Sequence, residues 1–246
     1  MPSLRPTAKS KRDEIIFFVG PSWPNAKSVG RIRVAPLVAC GDLAKLRSRL
    51  PRAVAIIDGF FEQTPSVWHK EILDLIDCGV QVYGAASMGA IRAAELNAFG
   101  MIGTGSIFEE FLAGSLDRDD AVMVLQTPPK LGNLPLTVSL VDARNAIKAL
   151  RMPIATRQVL TRTADRLNFR QRTWSSIRRA ALNWYGLDID ERLVRELSHQ
   201  PSRKMIEAKN LYERLGSGGT TAEAVAGNMS HHTAFYRHRF AEAAAN

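Results

Sequence analysis

The sequence predicts an α/β fold: a mainly parallel sheet with flanking helices, followed by a basic, all-helical C-terminal region. Three observations predict it. The runs "EIIFFVG" (14–20), "AVAIIDG" (53–59) and "VQVYG" (80–84) are apolar almost throughout, as strands covered on both faces of a sheet are. Helical patterns at 42–49 and 66–77 separate them, which makes consecutive β-α-β units. After about residue 142 the strand signals stop, and helical patterns follow at 142–150, 154–167, 171–185, 188–198 and 202–214.

The elements follow in order. Residues 1–13 are basic and polar and read as a flexible tail. Thr64 followed by Pro65 reads as the start of the helix over 66–77, with Thr64 as N-cap and Pro65 in the first helical position. A helix over 88–98 follows the third strand. The glycine-rich stretch "FGMIGTGSIF" (99–108) reads as a turn and helix start, and an acidic loop spans Asp117–Asp120. "AVMVLQT" (121–127) is expected to be a further strand, followed by a proline-containing stretch (128–135) and an apolar segment (136–141). Two more helices are expected beyond "GSGG" (216–219). The division is a tail over 1–13, an α/β core over 14–150 and a helical region over 151–246.

Composition narrows the class. The hydrophobic fraction is 46% and the charged fraction 23%, ordinary for a globular chain with a real core. No stretch approaches the roughly 20 apolar residues of a membrane-spanning helix, and "IIFFVG" is too short for the core of a signal peptide. The expected location is cytoplasmic, away from membranes. Cys40 and Cys78 make neither a disulfide framework nor a zinc pattern and read as small buried residues. The net charge is +9, and from Arg151 onward 16 Lys and Arg stand against 9 Asp and Glu. Such a surface favours an acidic partner, protein or nucleic acid.

Each of the three clear strands ends in glycine and a loop: "FVG-PSW", "IDG-FFE" and "VYG-AAS". Ligands of open parallel sheets bind beyond the carboxyl ends of the strands, so chain order gathers Ser22, Asp58 and Ser87 toward one edge. Ser87 stands in A-x-S-x-G on a strand-to-helix bend among Gly84, Ala85, Ala86, Gly89 and Ala90. The bland explanation is that small residues let a helix pack closely on the sheet. The chemical one is a nucleophile elbow that pushes Oγ outward, with the Met88 and Gly89 amides at the helix start holding an oxyanion. A serine nucleophile needs a base. His69 and Lys70 lie in the preceding helix, and Lys130 in "TPPK" is a second lysine to consider. Ser–Lys pairs are a known variant. The helical face speaks against Lys70, which falls opposite the stripe of Trp68, Ile72, Leu75 and Ile76. Arg92 and Glu95, one turn apart, read as a pair with each other, and Asp58 as a residue that shapes a strand-end turn.

"IIDGFFEQTPSVWHKEILDLIDCGVQVYGAASMGAIRAAEL", with "FGMIGTGSIFEEFLAG" and "DRDDAVMVL" after it, strongly resembles the TfuA-like proteins, from about Ile15 to Val141. "FVGPSW" and "ACGDL" are weaker matches to the same family. The resemblance implies an accessory in YcaO-dependent thioamidation of peptide backbones. It implies a hydrolase with a Ser–Lys pair that cleaves the C-terminal thiocarboxylate of a ThiS-like sulfur carrier, frees sulfide and promotes the YcaO partner's activity on its peptide. Carried onto this chain, the serine is Ser87 and the lysine Lys70, with Asp58, His69, Arg92 and Glu95 as second-tier residues. No cofactor or metal is expected, and ATP is expected on the YcaO partner.

Other motifs are weaker. "GMIGTGS" lacks the lysine and the preceding strand of a phosphate loop. "TTAEAVAGNMSHHTAFYRHRF" (220–240) is similar to a helix-turn-helix in its Ala224, Asn228, Met229, Ser230 and Thr233. That leaves a DNA-binding regulator as one alternative and a non-catalytic module that activates a YcaO partner as another. His231 and His232 have no carboxylate or cysteine to complete a metal site.

Overall fold

The computed structural model describes residues 13–62 and 64–218. Five strands, β1 (Ile15–Phe18), β2 (Ile32–Ala35), β3 (Ala53–Ile56), β4 (Gln81–Gly84) and β5 (Ile102–Gly103), form one sheet in the order β2-β1-β3-β4-β5. Every neighbouring pair is parallel. The reason for continuous apolar runs is visible in the packing. Ile16, Phe18, Val54, Ile56 and Val82 enter one core, while Ile15, Phe17, Ala53, Ala55 and Tyr83 enter a second on the opposite face. With strand side chains alternating between faces, neither set has room for a polar residue.

Eight helices are described: α1 (His69–Asp77), α2 (Met88–Leu96), α3 (Ser106–Leu112), α4 (Leu140–Ala149), α5 (Ile154–Arg166), α6 (Trp174–Tyr185), α7 (Glu191–Ser198) and α8 (Arg203–Gly216). Four of these helices are capped by a side chain. The side chains of Ser139, Thr173, Asp190 and Ser202 each accept the amide three residues on, satisfying a donor the helix leaves orphaned.

Residue 150 does not divide the packing. Leu160 and Ala164 of α5, Ile177 of α6 and Leu197 of α7 belong to the same core as α1–α4 and one face of the sheet. The other face is met by α8 through Ala208, Leu211 and Leu215. Tyr212 packs edge-on against Phe17 and Trp23, and Arg31 donates to the Leu215 carbonyl. Each large side chain buried there contributes about 1.5–3 kcal/mol, so the basic helical region completes the α/β unit.

Several expectations change. No strand forms over 121–127; a 3-10 turn at Asp119–Ala121 leads into an extended segment with a single antiparallel bridge, Gln126 to Pro135. Its apolar residues are buried as core filling, Val122 at 0% exposure and Met123 at 8%. β2 carries the half-exposed Arg33 and so lacked an apolar signature, and β5 is two residues long. The pattern at 42–49 is a 3-10 helix, Ala44–Arg49. Thr64-Pro65 does not start α1, because the Pro65 carbonyl accepts the Cys40 amide instead. The helix begins at His69, where Glu71 folds back to accept the Trp68 amide. Neither Cys40 nor Cys78 forms a disulfide, and both are only partly buried. The tail before Asp13, the two helices after 216–219, the helix-turn-helix residues and His231-His232 lie outside the described residues.

Candidate active site

The bend between β4 and α2 has two kinds of small residue. A methyl group on Gly89 would come within 1.7 Å of the Ile56 carbonyl oxygen, and one on Gly84 within 2.1 Å of the Gly89 carbonyl oxygen. Those glycines are compelled by backbone packing. Ala86 and Ser87 are a different matter. Ala86 has φ +66°, and the Ser87 amide closes a three-residue turn on the Ala85 carbonyl at 2.8 Å. A non-glycine residue in that region costs about 1–3 kcal/mol and is a feature of functional sites. Ser87 then occupies the N-cap of α2 without capping it, unlike Ser139 and Ser202. Its Oγ turns the other way and donates to the Val122 carbonyl at 3.5 Å, a long bond that holds the hydroxyl loosely.

The same carbonyl has a second, stronger donor. Lys204, near the start of α8, is 2% exposed and its Nζ donates to the Val122 oxygen at 2.8 Å. A serine and a lysine 117 positions apart in the chain thus meet on one carbonyl at the carboxyl edge of the sheet. The start of α8 is fixed there by Asp142, whose Oδ1 accepts the Ser202 hydroxyl and the Lys204 amide. Val122 is fixed by the turn before it. Arg172, fully buried, donates to the carbonyls of Ala164, Leu167 and Asp120 and to the Asp120 carboxylate. Arg118 grips the same carboxylate. Burial works against the Asp120 charge, yet the hydrogen bonds and charges of Arg118 and Arg172 outweigh it and hold the carboxyl below its ordinary value. Burial pulls Arg172 below the usual guanidinium value despite Asp120 beside it.

Of the two expected oxyanion donors, the Gly89 amide is engaged by the Ile57 carbonyl at 3.1 Å. The Met88 amide donates to no group among the described residues. Asp58, 1% exposed, accepts the Gly20 amide, the Ser22 amide and the Ser22 hydroxyl at 2.7–2.9 Å. It therefore ties the loop after β1 to the end of β3, where the strand order reverses. That is the place at which such sheets bind ligands.

His69, Arg92 and Glu95 form a separate cluster. Glu95 accepts His69 Nε2 at 2.8 Å and Arg92 at 2.7 Å, while Arg92 also reaches the Val67 carbonyl. Burial opposes the Glu95 charge, and the hydrogen bonds from His69 and Arg92 prevail, so its carboxyl lies below the ordinary value. At 1.5 Å rise per residue, Glu95 is about 12 Å along α2 from Ser87. Lys70 follows His69 in the first turn of α1, and Lys130 is exposed at the tip of the loop joining Gln126 to Pro135.

A cavity of about 480 Å³ opens beside the pair, walled by Ser22 and Pro24 on one side and by Thr137, Asp142 and Lys204 on the other. A smaller one of about 60 Å³ lies among Gly59, Phe60, Met123 and Phe169, and Val124 borders both. Among the described residues no three His, Cys, Asp or Glu groups are placed to hold a metal ion, and no helix is long and apolar enough to cross a membrane.

Sequence reasoning missed Lys204, although a signal existed. Lys204 shares a stripe with Ala208, Leu211 and Leu215, at the spacing of a buried helix face. A charged residue on such a stripe is out of pattern, and buried charges of this kind mark candidate sites.

The fold and the site define an α/β protein with a buried serine–lysine pair at the carboxyl edge of a parallel sheet. The family model described as TfuA-like protein matches residues 58–173, from Asp58 through Ser87 and Val122 to Thr173, so this segment of the chain is TfuA-like. Lys204 and α8 lie beyond the matched segment. No curated protein matches the chain.

Proposed function

We propose that the protein is an accessory of YcaO-dependent peptide thioamidation and hydrolyses the thiocarboxylate of a ThiS-like sulfur carrier, with Ser87 as nucleophile and Lys204 as base. The shared hold of Ser87 Oγ and Lys204 Nζ on the Val122 carbonyl carries this reading. It assigns the base to Lys204 where the resemblance implied Lys70, and the shared Val122 carbonyl supports that choice.

Lys204 Nζ takes the proton of Ser87 while Oγ bonds to the thiocarboxylate carbon. The carbonyl oxygen gains the displaced electron pair and is met by the Met88 amide. When the tetrahedral intermediate collapses, Lys204 passes the serine proton to the sulfur, the C–S bond breaks and hydrosulfide leaves with that bond's electrons, giving an ester between the carrier's terminus and Ser87 and leaving the amine free again. Water, deprotonated by the same amine, then attacks the ester. The carrier departs as a carboxylate and Ser87 recovers its proton. Hydrosulfide is a good leaving group, so less protonation is needed than for an amide. No cofactor enters these steps, and ATP chemistry belongs to the YcaO partner.

Intact mass spectrometry of a thiocarboxylated ThiS-like carrier tests the reaction. The wild-type chain is expected to convert thiocarboxylate to carboxylate, a loss of about 16 Da from the exchange of sulfur for oxygen, and Ser87→Ala to leave it intact. An unchanged carrier with the wild type, or equal conversion by both proteins, removes the hydrolase reading.

A second reading, a non-catalytic activator of a YcaO partner, draws on two observations. The packing of Gly84 and Gly89 explains part of the bend without chemistry. Besides the buried Arg172, residues 151–187 also carry seven arginines against one aspartate, a charge balance suited to an acidic partner. Under this reading Ser87→Ala supports thioamidation from the carrier as well as the wild type does. Under the first it does so only when free sulfide is supplied.

A further inference from the structure

Ser87 is 2% exposed and borders neither cavity, although Lys204 lines the larger one. Its Oγ faces the carbonyl of Val122, the first residue of the segment 122–125, and Val124 of that segment borders both cavities. We propose that residues 122–125 are a strap that covers Ser87 in the free chain and lifts to admit substrate, with the Val122 carbonyl as its latch. The inference rests on the reading of Ser87 as nucleophile.

The strap is anchored at its ends and weakly held between them. At one end Arg172 and Arg118 fix Asp120. At the other, the Leu125 amide donates to Thr137 Oγ1 at 2.8 Å and the Leu125 carbonyl accepts the Leu136 amide at 2.7 Å. Between the anchors, the Met123 and Val124 amides donate to nothing among the described residues, and the Val122 carbonyl is held only by Ser87 and Lys204. Lifting 122–125 therefore breaks few backbone bonds but exposes Val122 and Met123, which are buried when it is closed, so the open form is a minor state of the free chain. Closing it ties up both members of the pair, so the closed chain keeps the serine hydroxyl and the lysine on a carbonyl instead of on each other. The loop that continues the strap leaves Leu131, Leu134 and Leu136 exposed at 65%, 48% and 58%. Displacement of the tip thus costs little burial.

The test is labelling of Ser87 by a small fluorophosphonate, read by peptide mass, in parallel with amide hydrogen exchange at Met123 and Val124. Thr137→Val removes the acceptor of the Leu125 amide without touching Ser87 or Lys204. Loss of one such hydrogen bond shifts an opening equilibrium roughly fivefold, so labelling and exchange are both expected to quicken about fivefold in this variant. A second variant, with residues 128–133 replaced by Asn-Gly, tightens the tip into a two-residue turn and is expected to alter both rates together. Equal, rapid labelling of wild type and Thr137→Val overturns the strap while leaving Ser87 a nucleophile. Faster exchange at 123–124 with no labelling of either protein overturns the nucleophile on which the inference rests.

Discussion

The two polar clusters that α2 contributes to are built in opposite ways. His69, Arg92 and Glu95 come from adjacent helices, lie within 26 positions of each other and are partly exposed, with side-chain exposures of 46%, 14% and 40%. Ser87, Val122 and Lys204 come from three distant parts of the chain and are nearly closed to water. The first cluster is what chain proximity suggests, because neighbouring helices in a β-α-β unit bring their residues together cheaply. The second requires a helix from the far end of the chain to cross to the other face of the sheet. Exposed ion pairs of the first kind contribute little, about 0–1 kcal/mol, whereas groups held in a dry setting act strongly on a reacting centre. Nearness in sequence points to Lys70, whereas the lysine that shares the Val122 carbonyl with Ser87 is Lys204.

The largest expected effect separates the clusters directly. Ser87→Ala and Lys204→Met are each expected to lower the rate of thiocarboxylate hydrolysis by about a thousandfold or more, and the double variant to lose little beyond either single one, since members of one catalytic unit are not additive. His69→Ala and Glu95→Gln are expected to change it less than about threefold. An additive double variant, or a large loss at His69, breaks the distinction.

Arg172 comes next, since it supports the carbonyl on which the pair meets. Arg172→Met leaves Asp120 without its buried partner and is expected to cost about 3–5 kcal/mol, read as a midpoint shift in urea unfolding. Replacing Arg170, which pairs with Glu62 at the surface, should cost under about 1 kcal/mol.

The pH dependence sharpens the contrast further. Asp120 and Glu95 have depressed carboxyl values, so the stability they add is present above the ordinary carboxylate range and is lost as pH falls through their lower folded values. Asp120→Asn is expected to flatten the acid limb of the stability curve more than Glu95→Gln does. Glu207 has the opposite sign, because burial raises its carboxyl while the Ile107 amide and Ser106 hydroxyl act against that rise. Its contribution is present below the ordinary range and is lost as pH rises through the raised value. Its Oε1 receives both hydrogen bonds and its Oε2 none, so Glu207→Gln keeps the contacts. That variant should gain on the wild type as pH rises past the carboxyl range, by under about 1 kcal/mol.

Much of the fold was legible, for reasons that also explain the gaps. Strands covered on both faces leave unbroken apolar runs, and the helical periodicity places α4–α8 to within about three residues at their starts, whereas their caps Ser139, Thr173, Asp190 and Ser202 went unread. Val122 and Met123 misled because a buried loop has the same composition as a buried strand when side chains, here Ser87 and Lys204, serve its backbone. β2 went unread because an edge strand shows only half a pattern. At the site, the Ser87 bend was legible in its small residues and Asp58 in its place after a strand. The charged residue at position 204 of an apolar stripe was visible, but its destination depends on a crossing that periodicity does not encode.

The measurement that tests the account most directly is the single-turnover rate of sulfide release from a thiocarboxylated ThiS-like carrier by the wild type, Lys204→Ala and Lys70→Ala, with folding of each confirmed by circular dichroism. The account predicts a loss of about a thousandfold for Lys204→Ala and a rate within about threefold of wild type for Lys70→Ala. A wild-type rate in Lys204→Ala with a collapse in Lys70→Ala would contradict it.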